Sequence, residues 1–229
     1  MVRSERPDQG TAARILDSAE TLVQVRGFNA FSYADIAAEL HLSKASLHYH
    51  FAGKAELGEA LVVRYCDRFL AALAEIQETV QGAPGKLDAY VDLYAAVIAD
   101  QRMCLCGMLA AEYPTLPGPM QAAVRGFIDA NQAWLAAVID EGVRAGSLRR
   151  PDSVADTAVM LVAGLEGAML VARPYGDAGR FRNAAAPLLA AVLLDVAPAR
   201  VSSRSGLPAR AVPGGVPGGA TRNASSSIP

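Results

Sequence analysis

The chain has 229 residues, with 21 Lys and Arg against 23 Asp and Glu and 52% hydrophobic residues. At roughly 150 residues per domain this is one or two modest domains, and a mean hydropathy of +0.21 excludes a charge-rich disordered chain. The net charge of -2 gives no bulk attraction to nucleic acid, so any such contact has to be local.

The opening MVRSERPDQG is polar, and the longest apolar stretch, Thr157 to Ala172, is interrupted by Glu166 and falls short of the ~20 residues of a bilayer span. Neither secretion nor membrane insertion is expected. Cys66, Cys104 and Cys106 are too few and too unevenly placed for a disulfide framework, which points to a reducing compartment and a cytoplasmic chain.

Apolar residues recur at helical spacing from Thr11 to Val196, and alternating stretches are scarce, so an all-α fold is expected. The first helix is predicted over Thr11 to Arg26, with Ile15, Leu16, Ala19, Leu22 and Val23 on one stripe and Gly27 as its C-cap. Ser32 followed by Asp35 has the form of a capping box, and Ile36, Ala37 and Leu40 supply the apolar face of a short second helix that stops at His41. Ser43 caps a third short helix running through Phe51, and Gly53 separates it from a longer helix that starts at Lys54 and continues to about Thr79. Two short helices around a tight turn make a helix-turn-helix pattern.

Further on, Gly82-Ala83-Pro84-Gly85 reads as a break before a helix from Lys86 to Arg102, striped by Leu87, Tyr90, Val91, Tyr94, Val97 and Ile98. A helix is expected to begin near Leu105, just after Cys104. A second break from Tyr113 to Pro119 precedes a long helix from about Met120 to Ala145, closed by Gly146. The last two helices, roughly Ser153 to Ala172 and Asp177 to Val196, carry apolar coverage too broad for one buried face, and the excess suggests a subunit interface. From Ala197 onward Pro, Gly, Ser and Arg dominate, with no acidic residue, a composition that cannot order itself. Its four arginines add at most a weak, salt-sensitive attraction to nucleic acid.

In a helix-turn-helix the second short helix enters the major groove, and its first residues approach base edges closely. Lys44, Ala45 and Ser46 are small or hydrogen-bonding and fit that need. Leu47 and Phe51, four apart, anchor the helix inward and leave His48, Tyr49 and His50 as polar-tipped donors for flanking phosphates. Lys54, in the first turn of the next helix, is placed to favour an anion such as a phosphate. Over residues 1 to 66 acidic residues outnumber basic ones by one. A bare helical hairpin, or an interaction module that does not bind DNA, is therefore the competing reading. Metal binding by His41, His48 and His50 is a further option, although His48 and His50 lie two apart and face different directions.

The segment ILDSAETLVQVRGFNAFSYADIAAELHLSKASLHYHFAGKAELGEAL resembles the N-terminal domain of the TetR family of transcriptional repressors. The match runs from Ile15 to Leu61 and includes Arg26-Gly27-Phe28, Ile36-Ala37, Ser43, Leu47, Tyr49-His50-Phe51 and Lys54. It departs from the family at His41, where Gly is common, and at His48, which replaces a residue usually aromatic; His tolerates left-handed backbone angles. The resemblance implies a three-helix DNA-binding head followed by a variable helical domain that binds a small-molecule effector and dimerises. It also implies release of a palindromic double-stranded operator when the heads move apart. By the same resemblance Lys44, Ala45 and Ser46 read bases, His48, Tyr49, His50 and Lys54 grip phosphates, and Ser32 and Tyr33 add phosphate contacts. The expected division is a flexible N-terminus over 1–10, the head over 11–57, the effector-binding and dimerisation domain over 58–196, and a disordered tail over 197–229.

Cys104-Leu-Cys-Gly-Met-Leu-Ala-Ala-Glu112 resembles a stretch of one branch of the family, some of whose members sense electrophiles or oxidants such as acrylate, quinones and N-ethylmaleimide at the cysteine aligned with Cys104. Sensing needs a thiolate, favoured by a helix N-terminus or a cation such as Arg102; otherwise Cys104 is a small buried hydrophobe. For a non-covalent effector the candidates are Tyr90, Tyr94, Met103, Met108, Phe127, Trp134 and Met160, each equally a core residue type. Hydrolase, phosphate-loop, zinc-protease and dinucleotide fingerprints are absent from the sequence, so no catalysis, cofactor or metal is expected.

Overall fold

A computed structural model describes residues 10–194, and the expectations for a flexible start and a disordered tail fall outside those described residues. The head consists of α1 (Thr11–Arg26), α2 (Tyr33–Leu40) and α3 (Lys44–His50), followed by α4 (Lys54–Thr79). These bounds follow from the local chemistry. Gly27 takes φ 95 and its N–H closes α1 on the Val23 carbonyl at 2.9 Å, a backbone angle that only Gly adopts without strain. The Asp35 carboxylate accepts from both the N–H and the hydroxyl of Ser32 at 2.7 Å, which fixes the start of α2. His41 ends α2 in the left-handed region at φ 54 and ψ 41, so the turn is made without the glycine common there. Ser43 then accepts the Ser46 N–H at 3.1 Å and caps α3.

The remaining helices are α5 (Ala83–Ala99), α6 (Leu105–Ala111), α7 (Gly118–Arg144), α8 (Val154–Ala172) and α9 (Ala178–Ala190). Three of them differ from expectation for identifiable reasons. α5 begins three residues before Lys86 and α7 two before Met120, because Pro84 and Pro119 sit in the first turn, where proline's missing N–H costs nothing. α9 stops at Ala190 rather than Val196. Beyond it the chain runs against the end of α7's loop, with the Arg149 N–H donating to the Val192 carbonyl at 2.9 Å and Leu148 bridged to Leu193.

The head core is Ile15, Ala19, Val23, Ile36, Leu47 and Leu57, all buried. Burying a Leu or Ile side chain is worth about 1.5–3 kcal/mol, so Leu47, fully enclosed on a seven-residue helix, is the bolt that holds α3 to the head. The body packs α4, α5, α7, α8 and α9 around Tyr90, Tyr94, Leu135, Leu161 and Phe181. Three of its buried polar side chains are paired: the Tyr90 hydroxyl donates to the Asn131 carbonyl oxygen at 2.8 Å, Asn131 donates to the Phe127 carbonyl, and the buried Lys86 ammonium meets both Glu141 oxygens at 2.7 and 2.8 Å, whereas the buried Trp134 Nε1 finds no acceptor.

Together with the 3-10 turn that follows it, α8 forms a 22-residue helical stretch from Val154 to Tyr175, longer than the sequence run suggested, whose most apolar 18-residue window has mean hydropathy 1.7. By length and composition it could cross a membrane, yet one face packs into the body, Glu166 interrupts it, and Val159, Met160, Leu170 and Val171 project outward. A core helix with an outer apolar face passes the same length test.

Candidate functional site

The first candidate surface is built on α3. Lys44, Ala45, His48 and Tyr49 are exposed and Ser46 and His50 half-exposed, with Tyr49 85% accessible despite its large apolar ring. Leu47 and Phe51 are buried as anchors. A shallow concavity at the start of α2 is lined by Phe31, Ser32, Tyr33, Ala34, Lys44, His48 and Lys54. It gathers five residues that sequence reasoning had assigned to DNA on separate elements. The Tyr33 hydroxyl donates to the Phe51 carbonyl at 3.0 Å, and its ring lies 4.9 Å from that of His48; both contacts stiffen α3 against α2.

Two residues have roles that the sequence did not reveal. His48 Nδ1 lies 3.0 Å from the Ala52 carbonyl, which can only accept, so this nitrogen carries the hydrogen. The other ring nitrogen is then a donor only when the ring is protonated. Lys54 does not extend toward solvent as a free phosphate ligand: its ammonium donates to the Phe31 carbonyl at 2.5 Å and sits 4.7 and 4.4 Å from the centres of the Phe28 and Phe31 rings. Desolvation lowers its pKa from the ordinary lysine value, opposed by Glu112 and Asp35. It is a clamp inside the head as well as a charge beside the concavity.

The second candidate surface is a cavity of about 390 Å³ between α6, α7 and α8, lined among others by Met103, Cys106, Gly107, Met108, Phe127, Gln132, Val162, Glu166 and Leu170. Its size is that of a small-molecule site. Of the residues expected to meet an effector, Met108 and Phe127 line it, as does Met103. Tyr90, Tyr94 and Trp134 do not: Tyr90 is sealed in the body core, Tyr94 is buried at the wall of a separate groove, and Trp134 stacks on Tyr90 with ring centres 5.5 Å apart. Met160 lies on a separate surface groove beside Pro151 and Val192. Sequence reasoning missed Glu166, Gly107 and Gln132 as lining residues. The signal for Glu166 was present, since it is the one charge interrupting the most apolar run of the chain.

Cys104 caps the start of α6 as expected but is 1% exposed, and it contributes to a smaller groove with Gln24, Tyr65, Arg68, Tyr94 and Arg102 on the other side. Burial pushes its thiol well above the ordinary cysteine range, and the Glu166 carboxylate, to which the thiol donates, pushes it further. The Gly107 N–H and the Tyr65 hydroxyl, which donates to the sulfur at 3.6 Å, work in the opposite direction and lose. Arg102 does not rescue the thiolate, because its guanidinium is taken by Asp100 and Gln24. Of the conditions for a reactive thiolate, Cys104 has the helix N-terminus but neither exposure nor a free neighbouring cation. Among the described residues no group of three His, Cys, Asp or Glu side chains could hold a metal ion.

The two surfaces are linked through α6 and the residue that follows it. Glu112 accepts the Phe28 N–H at 2.6 Å and the Asn29 N–H at 3.3 Å, just beyond the end of α1, and Asn29 donates to the Thr115 hydroxyl at 2.7 Å. The Met103 N–H donates to the Gln24 carbonyl at 3.2 Å, and Arg173, beyond α8, donates to the Val25 carbonyl and to the Met108 sulfur. Gly27 leaves no space for a side chain here: a Cβ would lie 2.8 Å from a Glu112 oxygen.

Residues 15–61 match the family model of bacterial regulatory proteins of the tetR family, and residues 83–188 match the tetracyclin repressor-like C-terminal domain. The chain is 28% identical to the transcriptional regulator AcuR of Cereibacter sphaeroides over 158 residues, 65% of this chain and 69% of that one. The fold is similar to a TetR-family transcriptional regulator from Agrobacterium tumefaciens, with TM-score 0.77 and 34% identity over 80% of this chain and 97% of that one. A TetR transcriptional regulator from Legionella pneumophila matches at TM-score 0.74 and 30% identity, over 82% of this chain and all of that one. With both halves matched and the helix-turn-helix in place, the chain belongs to the TetR family of DNA-binding transcriptional regulators.

Proposed function

We propose that this protein is a cytoplasmic, non-catalytic repressor that binds a palindromic operator as a homodimer and releases it when a small molecule occupies the cavity between α6, α7 and α8. The observation that carries this reading is the position of α6: Gly107, Met108, Ala110 and Ala111 line the cavity, while Glu112 at its end holds the backbone of Phe28 and Asn29 in the head. A ligand that displaces α6 by a fraction of its width pulls on the end of α1, and the head turns with it.

Residues 11–57 serve as the head and 58–196 as the effector-binding and dimerisation domain. α3 enters the major groove with Lys44, Ala45 and Ser46 toward bases, and Ser32, Tyr33, His48, Tyr49, His50 and Lys54 surround phosphates. The outward apolar residues of α8, Val159, Met160, Leu170 and Val171, support a seam with a second copy. The buried, carboxylate-bound thiol of Cys104 favours a non-covalent effector over an electrophile.

The test is fluorescence anisotropy with DNA from upstream of the protein's own gene. Lys44→Ala and Ser46→Ala change sequence preference, whereas His50→Ala weakens all DNAs alike. Glu112→Gln keeps operator binding but blunts release by ligand. Equal losses on every sequence for Lys44→Ala and Ser46→Ala would remove the base-reading role, and undiminished release in Glu112→Gln would break the proposed coupling.

A further inference from the structure

The cavity between α6, α7 and α8 contains one charged group, Glu166, against a lining that is otherwise apolar apart from Gln132 and the Cys106 thiol. No Lys, Arg or His among the described residues forms an ion pair with this carboxylate. Its hydrogen-bonding neighbour is the Cys104 thiol, a weak donor. Its charge raises the pKa of Cys104 and Cys106, of Tyr65 on α4, and of Tyr90 and Tyr94 on α5, none of them cationic, while Arg173, which touches the lining at the Met108 sulfur, donates instead to that sulfur and to the Val25 carbonyl. An ionised carboxylate offers about four lone-pair sites, one thiol fills one of them, and the residue lines the cavity.

The chain makes room for this arrangement. A Cβ on Gly107 would stand 2.3 Å from Glu166 Oε2 and 3.0 Å from its carboxyl carbon, so α6 can approach the carboxylate only because residue 107 has no side chain. Glu166 is half-buried, and a desolvated carboxylate without a cation is costly in proportion to the water it loses; that desolvation raises its pKa. A positively charged partner brought in from outside removes that cost.

We propose that the cavity binds a small apolar amine, whose ammonium donates to Glu166 while its hydrocarbon body lies against Met103, Met108, Phe127, Val162 and Leu170. This names the chemistry of the effector and rests on the reading of the cavity as the effector site. A carboxylate ligand would meet repulsion from Glu166, and an alcohol of equal length would gain the apolar contacts without the ion pair.

The experiment is calorimetric titration of the full chain with n-hexylamine, 1-hexanol and hexanoate near neutral pH, where the amine is protonated. Hexylamine binds at least about ten-fold tighter than hexanol, the factor expected of a charge-assisted hydrogen bond, and hexanoate binds weakest. Glu166→Gln, nearly isosteric, erases the amine's advantage. Gly107→Ala, which drives a methyl into the carboxylate, reduces it independently should Glu166→Gln alter folding, which circular dichroism checks. Equal binding of amine and alcohol, no binding of the amine, or an amine preference that survives both substitutions would overturn the proposal. Operator anisotropy is run on the same samples: tight amine binding without operator release upholds the ligand assignment and overturns the effector reading alone.

Discussion

Replacing Lys54 by Met, which keeps the aliphatic stem and deletes the charge, separates two roles that the family resemblance had merged. The ammonium hydrogen-bonds the Phe31 carbonyl at 2.5 Å and contacts the Phe28 and Phe31 rings at 4.7 and 4.4 Å. A hydrogen bond from a charged donor contributes about 1.5–3 kcal/mol, and each partly exposed cation–π contact about 0.5–1 kcal/mol. The site opens to solvent on one side, so the combined loss falls in the lower part of the summed range, about 2.5–3 kcal/mol. At about 2–4 °C per kcal/mol for a chain of this size, Lys54→Met lowers Tm by about 5–12 °C in thermal unfolding followed by circular dichroism. The salt dependence of operator binding is measured alongside, because a lost phosphate contact reduces the slope of log K against log salt by about one. An unchanged Tm together with a slope reduced by one would show that Lys54 grips phosphate and does not clamp the head, refuting the structural reasoning.

His48 donates from Nδ1 to the Ala52 carbonyl at 3.0 Å, which holds its ring at the end of α3. His48→Phe, which deletes that hydrogen bond, is expected to weaken operator binding in the anisotropy assay; unaltered affinity would place His48 outside the DNA contact. Alkylation by N-ethylmaleimide of the native protein, mapped by mass spectrometry, reaches half-buried Cys66 first. Hydrogen bonding from Cys106 lowers its pKa, whereas burial raises those of Cys104 and Cys106. Prior modification of Cys104 would contradict the burial argument. Glu141 has its pKa lowered by hydrogen bonds from Lys86 and then Gln77. Its contribution to stability is therefore present above the unfolded glutamate pKa of about 4.3 and lost as pH falls through the lower folded value. Denaturant midpoints of Glu141→Gln should lie below those of wild type at neutral pH and fall less between neutral pH and about pH 3; parallel profiles would show that the pair carries no net stabilisation.

The head was almost fully legible in the sequence, because its signals are local. Gly27, the Ser32 and Asp35 pair, and Ser43 each act within four residues, and Ile15, Ile36 and Leu47 read as core from spacing alone. The cavity was legible only in part. Met108 and Phe127 were chosen as large apolar residues, but the same criterion chose Tyr90 and Trp134, whose fate depends on Asn131 supplying a buried acceptor to Tyr90. Glu166 and Gly107 meet only because α6 is laid across α8, a tertiary event without a local signature. The clamp role of Lys54 was hidden for a similar reason. Its position at the start of a helix favours an anion, yet the ring pair formed by Phe28 and Phe31 at 5.9 Å lies close enough to claim the charge.

The 26 residues of α4 begin beside the recognition surface and run along α5 and α7 of the body. At 1.5 Å per residue this rod is about 39 Å long. A tilt of only about 5° at the body end sweeps the head through roughly 3 Å, about the rise of one base pair. In the proposed two-fold dimer the error doubles, putting the two recognition helices some two base pairs out of step with half-sites about 34 Å apart. Rod length thus sets the gain of the switch. Shortening α4 by one turn while keeping both ends intact would demand a larger rearrangement at the cavity for the same loss of register on DNA.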